Sequence, residues 1–314
     1  MSSSTPAILL DGLTKYYGKV RGVDDLHLTV DQGETFGFLG PNGAGKTTTI
    51  RLLTGFMRPS SGRAFVFGHD IVKESTSIRR LIGFVPGTTP YESMTGHGVL
   101  DYLGALQESP PLLRADLCER LKLSDDDLHR KLRTYSKGMR QKIAIIQALQ
   151  HDPELIIMDE PTEGLDPLMQ NELFSILKER SALGRTIFLS SHIISEVERL
   201  CDRVAIIREG RLVAVEDVDA MRRRRSLQVE IRVPSGQSPD QLLKMPGVTT
   251  ISITDGHIIM SYQGDLVPLL QMLSNIKLED LIIERPSLEE VFLTFYDDAQ
   301  DSPVAALQEN KVKS

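Results

Sequence analysis

The chain has 314 residues, 40% of them hydrophobic and 25% charged, which leaves room for one large globular domain and a smaller one. Its 36 basic and 43 acidic residues give a formal charge of −7, which argues against broad attachment to nucleic acid; no nucleic-acid partner is expected. No apolar run approaches the roughly 18 residues a membrane helix needs, and Met1-Ser2-Ser3-Ser4-Thr5-Pro6 lacks the regions of a signal peptide. Cys118 and Cys201 make neither a metal spacing nor a disulfide framework, so a reduced, cytosolic protein is expected.

From about residue 7 to 225, strand-like and helix-like pieces alternate. Strands are predicted at 7–10, 25–30, 35–39, 64–67, 82–85, 155–158, 186–190 and 204–207. The last four are near-continuous apolar runs, as a parallel sheet covered on both faces requires. Residues 93–150 read as mostly helical, broken by Ser109-Pro110-Pro111, and suggest a helical subdomain inserted into the α/β core. After Arg225 the texture changes: Leu227–Val233 alternates with period two. A short helix at 239–245 follows, then strands at 248–253 and 257–262 around Asp255-Gly256. A helix over 266–276, a strand at 281–283 and a capping-box helix from Ser287 complete a β-α-β-β-α-β order, a small ferredoxin-like α+β module. The expected domains are 1–225 and 226–296, with a disordered tail over 297–314. No internal repeat is evident.

Gly40-Pro41-Asn42-Gly43-Ala44-Gly45-Lys46-Thr47-Thr48 matches the phosphate-loop pattern G-x-x-x-x-G-K-[ST]. It lies between an apolar strand, Thr35–Leu39, and a helix start, Thr49–Leu53, the setting that separates such a loop from a chance match. The glycines let successive N–H groups converge on one anion, and the helix adds the positive end of its dipole. Lys46 is placed to reach the β- and γ-phosphates and the Thr47 hydroxyl to ligate Mg²⁺. The chain therefore binds a nucleoside triphosphate.

A second apolar strand, Leu155–Met158, ends in Asp159 and Glu160. Strand alternation sends the two carboxylates to opposite sides, so Asp159 is assigned to the metal and Glu160 to the attacking water. Alone they would read as two solvated acids; the upstream phosphate loop changes that reading. Tyr135-Ser136-Lys137-Gly138-Met139 leads into an apolar helix, where a serine cap makes another anion-friendly N-terminus. The tetrad Arg222–Arg225 reads as a solvated helix C-terminus, with contact to anionic lipid as the alternative.

Together these motifs resemble the ATP-binding subunit of an ABC transporter, over about residues 7–216. Tyr135–Met139 is similar to that family's signature, usually L-S-G-G-Q, with Ser136 and Gly138 at the phosphate-touching positions. Pro161 with Gly164-Leu165-Asp166 resembles the D-loop, and Leu189-Ser190-Ser191-His192 resembles the segment of the switch histidine. Tyr17 resembles the aromatic that stacks on adenine, with Tyr16 as rival. The Y-S-K-G-M variant and the segment Pro286–Phe292 resemble export-type members with a C-terminal extension.

The resemblance implies a P-loop NTPase core of parallel sheet with an antiparallel β-subdomain. It implies ATP and Mg²⁺ as cofactors and a head-to-tail dimer of two copies. Lys46 and the partner copy's signature would share each ATP, and His192 would support the γ-phosphate and the water. A separate integral membrane permease would be driven, with the chain peripheral on the inner face of the membrane. One position departs from the family: Gly87 stands where glutamine or glutamate is usual, so either Thr88, Thr89 or water substitutes or coupling works through loop flexibility. The rival class is a soluble ABC ATPase acting on ribosomes or DNA. Ribosome-acting members usually fuse two cassettes. DNA-repair members insert long arms, whereas only 87 residues separate Thr47 from Tyr135 here. A GTP-binding switch would need N-K-x-D, and Asn310-Lys311-Val312-Lys313 ends in the wrong residue.

Overall fold

The computed structural model describes residues 5–87, 91–107, 109–224, 226–234, 242, 244–254 and 256–284. The chain divides into two compact units, Met1–Val218 and Asp219–Ser314.

The first unit is built on a six-stranded sheet of order β10-β9-β3-β8-β7-β6. Its members are β3 (Thr35–Leu39), β6 (Ile82–Val85), β7 (Leu155–Asp159), β8 (Thr186–Ser191), β9 (Arg203–Arg208) and β10 (Arg211–Asp217). All pairings except β9–β10 are parallel. Every residue of β3, β7 and β8 is buried, which explains their uninterrupted apolar and small-polar sequence. Phe36 stacks parallel to Phe188 at 6.0 Å and Phe38 tilts against it at 5.5 Å, joining adjacent strands within the core.

A separate antiparallel sheet of order β2-β1-β4-β5 packs on this core. It comprises β1 (Ile8–Tyr17), β2 (Val20–Val30), β4 (Ser61–Val66) and β5 (His69–Asp70). The first two strands outrun the predicted 7–10 and 25–30, because their far halves are half-exposed and polar. Strands β5 and β10 escaped prediction for a related reason. Strand β10 buries no residue fully, alternating exposed with half-buried positions at the sheet edge.

Between β6 and β7 the chain forms α3 (Gly96–Leu106), α4 (Arg114–Arg120), α5 (Asp125–His129) and α6 (Lys137–Leu149). This is the predominantly helical stretch expected at 93–150. Arg120 ties it to α7 (Pro167–Ala182), donating to Glu172 at 2.5 Å and to Glu179 at 2.6 and 2.8 Å.

The second unit holds an antiparallel sheet of order β12-β13-β11-β14. Its strands are β11 (Leu227–Arg232), β12 (Val248–Thr254), β13 (His257–Tyr262) and β14 (Asp280–Glu284). The alternating positions Val229, Ile231 and Val233 form its core with Ile258, Met260, Tyr262 and the helical Leu269 and Leu273. That strand order is the ferredoxin-like one. The helix expected at 239–245 falls largely outside the described residues; the capping-box helix from Ser287, Pro286–Phe292 and the tail 297–314 fall wholly outside. Of the arginine tetrad, Arg222 bonds to Asp219 at 2.8 Å, and Arg225 lies outside the described residues.

Candidate active site

Parallel strands deliver their following loops to one edge of a sheet, and ligands in such sheets bind beyond the strands' carboxyl ends. Here β3, β7 and β8 end level: Asp159 pairs with Ser190, and Ser190 with Phe38. The residues that follow these strands are therefore neighbours despite lying 112 positions apart between Thr47 and Asp159.

The loop after β3 turns through Gly43 (φ 81°) and Gly45 (φ 113°), left-handed values that favour glycine. It enters the helix α1 (Lys46–Leu53) at Gly45. Gly40 is required by crowding, since a Cβ there would stand 2.4 Å from the Ile207 carbonyl oxygen. Pro41, Asn42 and Gly43 are exposed at the loop tip, while Ala44, Gly45 and Lys46 are buried. The Lys46 ammonium donates to the carbonyl oxygens of Gly40 (2.6 Å) and Pro41 (3.2 Å). It also lies 3.1 Å from Glu160 Oε1, an ion pair whose angle falls short of a hydrogen bond.

The Thr47 hydroxyl donates to Asp159 Oδ2 at 2.8 Å, and Ser190 donates to Asp159 Oδ1 at 2.8 Å. Glu160 Oε2 meets His192 Nδ1 at 2.8 Å. One carboxylate thus spans the lysine of the loop and the histidine after β8. The expected alternation of Asp159 and Glu160 does not apply, because β7 ends at Asp159 and Glu160 takes φ 51°. A left-handed backbone at a non-glycine costs about 1–3 kcal/mol and persists only where its surroundings over-determine it. The Glu160 N–H is held by Ser190 O at 3.3 Å and Ser190 Oγ at 3.2 Å.

Tyr17 reaches the loop: its hydroxyl stands 3.3 Å from Thr48 Oγ1 and donates to Met57 Sδ at 3.2 Å. Tyr16 is exposed, and its backbone N–H donates to Ser60 Oγ at 3.0 Å. Gly87 is exposed, and among the described residues a Cβ on it would meet only Asp159 Oδ2, at 3.9 Å. Thr88 and Thr89 lie outside the described residues.

Ser136 caps α6, its hydroxyl accepting from Met139 N at 3.2 Å. Among the described residues no hydrogen bond or ion pair links Ser136 or Gly138 to the loop of the same chain. Their neighbours are the D-loop: Gly138 abuts the Gly164 carbonyl, Lys137 pairs with Glu163, and buried Gln141 donates to Pro161 O at 2.8 Å. Asp166 caps α7 by accepting from Leu168 N and Met169 N, both at 3.0 Å. The departure at Tyr135 has a local explanation. Its ring is buried and its hydroxyl donates to Asp127 O at 2.5 Å; burial, with Asp127 nearby, pushes the phenol up from its ordinary value.

Three contributors escaped the sequence reading. Ser190 orients both Asp159 and the Glu160 backbone. Buried Glu196 accepts from Ser191 Oγ (2.7 Å) and Thr162 Oγ1 (2.5 Å), which fastens the His192 segment to the D-loop. Gly22 makes room for the tyrosine: a Cβ there would come to 2.8 Å of the Tyr17 ring and 3.1 Å of Thr48. The paired hydroxyls before His192 were the available signal for Ser190; nothing local signalled Glu196 or Gly22.

Residues 23–163 match the family described as ABC transporter. An ABC transporter ATP-binding protein of a Nostoc species is 37% identical over 310 residues, covering 93% of this chain and 90% of that protein. A daunorubicin resistance ATP-binding protein of Streptomyces coeruleorubidus is 34% identical over 306 residues, covering 91% and 95%. A solved structure of the ATP-binding subunit of an ABC transporter aligns with TM-score 0.64 at 32% identity, covering 69% of this chain and 92% of that one.

Proposed function

The chain belongs to the ATP-binding proteins of ABC transporters, and on that premise we propose that two copies close head to tail around two ATP molecules to drive a separate membrane permease. As the transporter's ATPase subunit it binds and hydrolyses ATP. The observation that carries the finer reading is the Glu160 carboxylate spanning Lys46 and His192, beside the Thr47–Asp159 pair. Lys46 would exchange its internal contacts for the β- and γ-phosphates. Glu160 would accept a proton from the attacking water, and His192, hydrogen-bonded to Glu160, would orient that water and contact the γ-phosphate.

A hydroxyl and a carboxylate oxygen 2.8 Å apart are the hard donors that Mg²⁺ takes, so Thr47 and Asp159 would hold it. When bound, it would neutralise charge on the phosphate oxygens. Tyr17, at the edge of the loop and in contact with Thr48, would supply a face for adenine. Gly40, Asn42, Gly43, Ala44, Gly45 and Thr48 would wrap the phosphates with backbone donors.

Ser136 and Gly138 have their own chain's D-loop for company rather than its phosphate loop, which supports their service to a partner's ATP. Export across the membrane, with the chain on its cytoplasmic face, is favoured by the drug-resistance relative. Among the described residues no helix is long and apolar enough to cross a membrane, and in this reading a permease would supply the path. Light scattering of the Glu160→Gln chain tests the shared site: ATP should double the mass. A monomer at saturating ATP would remove the head-to-tail arrangement.

A further inference from the structure

Far from the nucleotide loop in sequence, within the helical subdomain, two imidazoles and a carboxylate converge. His97 stands in the first turn of α3, and Asp125 and His129 lie one turn apart on α5. His97 Nε2 is 2.8 Å from Asp125 Oδ1 and His129 Nδ1 is 3.5 Å from Asp125 Oδ2, so each carboxylate oxygen faces one ring. The two rings meet edge to face at 4.8 Å between centroids. One ligand atom from each residue lies within 4.8 Å of the others.

We propose that His97, Asp125 and His129 form a surface site for a borderline divalent transition-metal ion such as Zn²⁺. Two imidazole nitrogens with one carboxylate suit that class, whereas Mg²⁺ and Ca²⁺ take oxygen donors. Tetrahedral Zn²⁺ with ligand bonds of about 2.0–2.1 Å holds its donors about 3.3 Å apart. The present spread closes by rotation of side chains that are 35% (His97), 76% (Asp125) and 69% (His129) exposed. His129 Nδ1 also meets Asp125 O at 2.8 Å, and coordination would replace that hydrogen bond. Water would fill the fourth position.

The backbones beneath the ligands are already fixed. Thr95 caps α3 by accepting from Gly98 N, and Ser124 and Asp127 cap α5 reciprocally. Gly96 N donates to Arg130 O at 3.2 Å and Leu132 N to Met94 O at 2.9 Å, stapling the two helix ends together. Gly96 permits this approach: a Cβ there would stand 3.0 Å from Leu128 Cα and 2.6 Å from the Tyr135 hydroxyl. Only the side chains must move to bind the ion. Bound there, it would brace the segment 130–135 that leads straight into Ser136.

The test is calorimetric titration of the tag-free full chain with Zn²⁺ after chelator treatment, with Co²⁺ as the spectroscopic stand-in. One ion per chain should bind. His97→Ala and His129→Ala should each weaken it at least about tenfold and abolish the visible Co²⁺ band of a four-coordinate site. His27→Ala, which removes another exposed imidazole beside two aspartates, should change neither. Absence of binding by the full chain overturns the proposal, as does binding unchanged in the His97 and His129 variants. Binding lost only in His192→Ala would assign the ion to the nucleotide site and likewise overturn it.

Discussion

Gly138 lies so close to Gly164 that a Cβ on it would stand 2.7 Å from the Gly164 carbonyl oxygen. Gly164 in turn has φ 83°, and a Cβ there would meet the Lys137 stem at 2.9 Å. Signature and D-loop are therefore interlocked through two glycines. Gly138→Ala must shift backbone to be accommodated, and Ser136 would move with it. We expect turnover to fall about tenfold or more while ATP affinity measured under monomeric dilution stays within a factor of two or so. Equal loss of both would place the damage in the loop of the same chain.

Glu160→Gln removes the proposed base while keeping size and hydrogen-bonding capacity. Turnover should fall by about 10²–10⁴-fold with ATP binding retained, as read by phosphate release and nucleotide titration. Near-normal turnover would assign the base elsewhere.

Gly87→Gln tests the departure from the family. Among the described residues a new Cβ would meet Asp159 Oδ2 alone, in ordinary contact at 3.9 Å. ATP affinity should change by no more than about threefold, an effect under 1 kcal/mol. Abolished affinity in a titration would show that the glycine is sterically required.

Arg120 bonds two carboxylates of α7, and its hydrogen bond, then its charge, hold Glu179 below its ordinary value of 4.5. A depressed carboxyl stabilises the fold above its unfolded value and loses that contribution as pH falls through the folded one. Thermal melts should therefore show a steeper acid limb below about pH 5 in the native chain than in Glu179→Gln. Arg120→Ala should cost about 1–3 kcal/mol near neutral pH, loosening α4 from α7.

The parallel strands were legible because burial on both faces left them almost no polar residues, and the loop Gly40–Thr48 because its backbone geometry demands glycines at fixed positions. Strand β10 was not, since an edge strand with one half-buried face carries little apolar signal. The helices within 96–149 were legible from leucines spaced among charged residues. The supports of the site were the least legible part. Ser190, Glu196 and Gly22 act on partners that the sheet order brings near, such as Thr162 to Glu196 across 34 positions. Strand alternation also misled at Glu160, where a left-handed turn replaces the strand.

The contacts of Lys46 bear on what leaves the site as well as what enters. Its ammonium already donates to Gly40 O and Pro41 O and pairs with Glu160, so a nucleotide held by Lys46 as proposed would have to outcompete ligands supplied by the chain itself. On the roles proposed above, a triphosphate wins that competition with its terminal group. A diphosphate lacks the group and would meet Glu160 as a rival for the same charge. The residue that prepares the water would then also help expel the product, and Glu160→Gln should hold ADP longer in a stopped-flow chase. Spent nucleotide and reset would be coupled through one carboxylate.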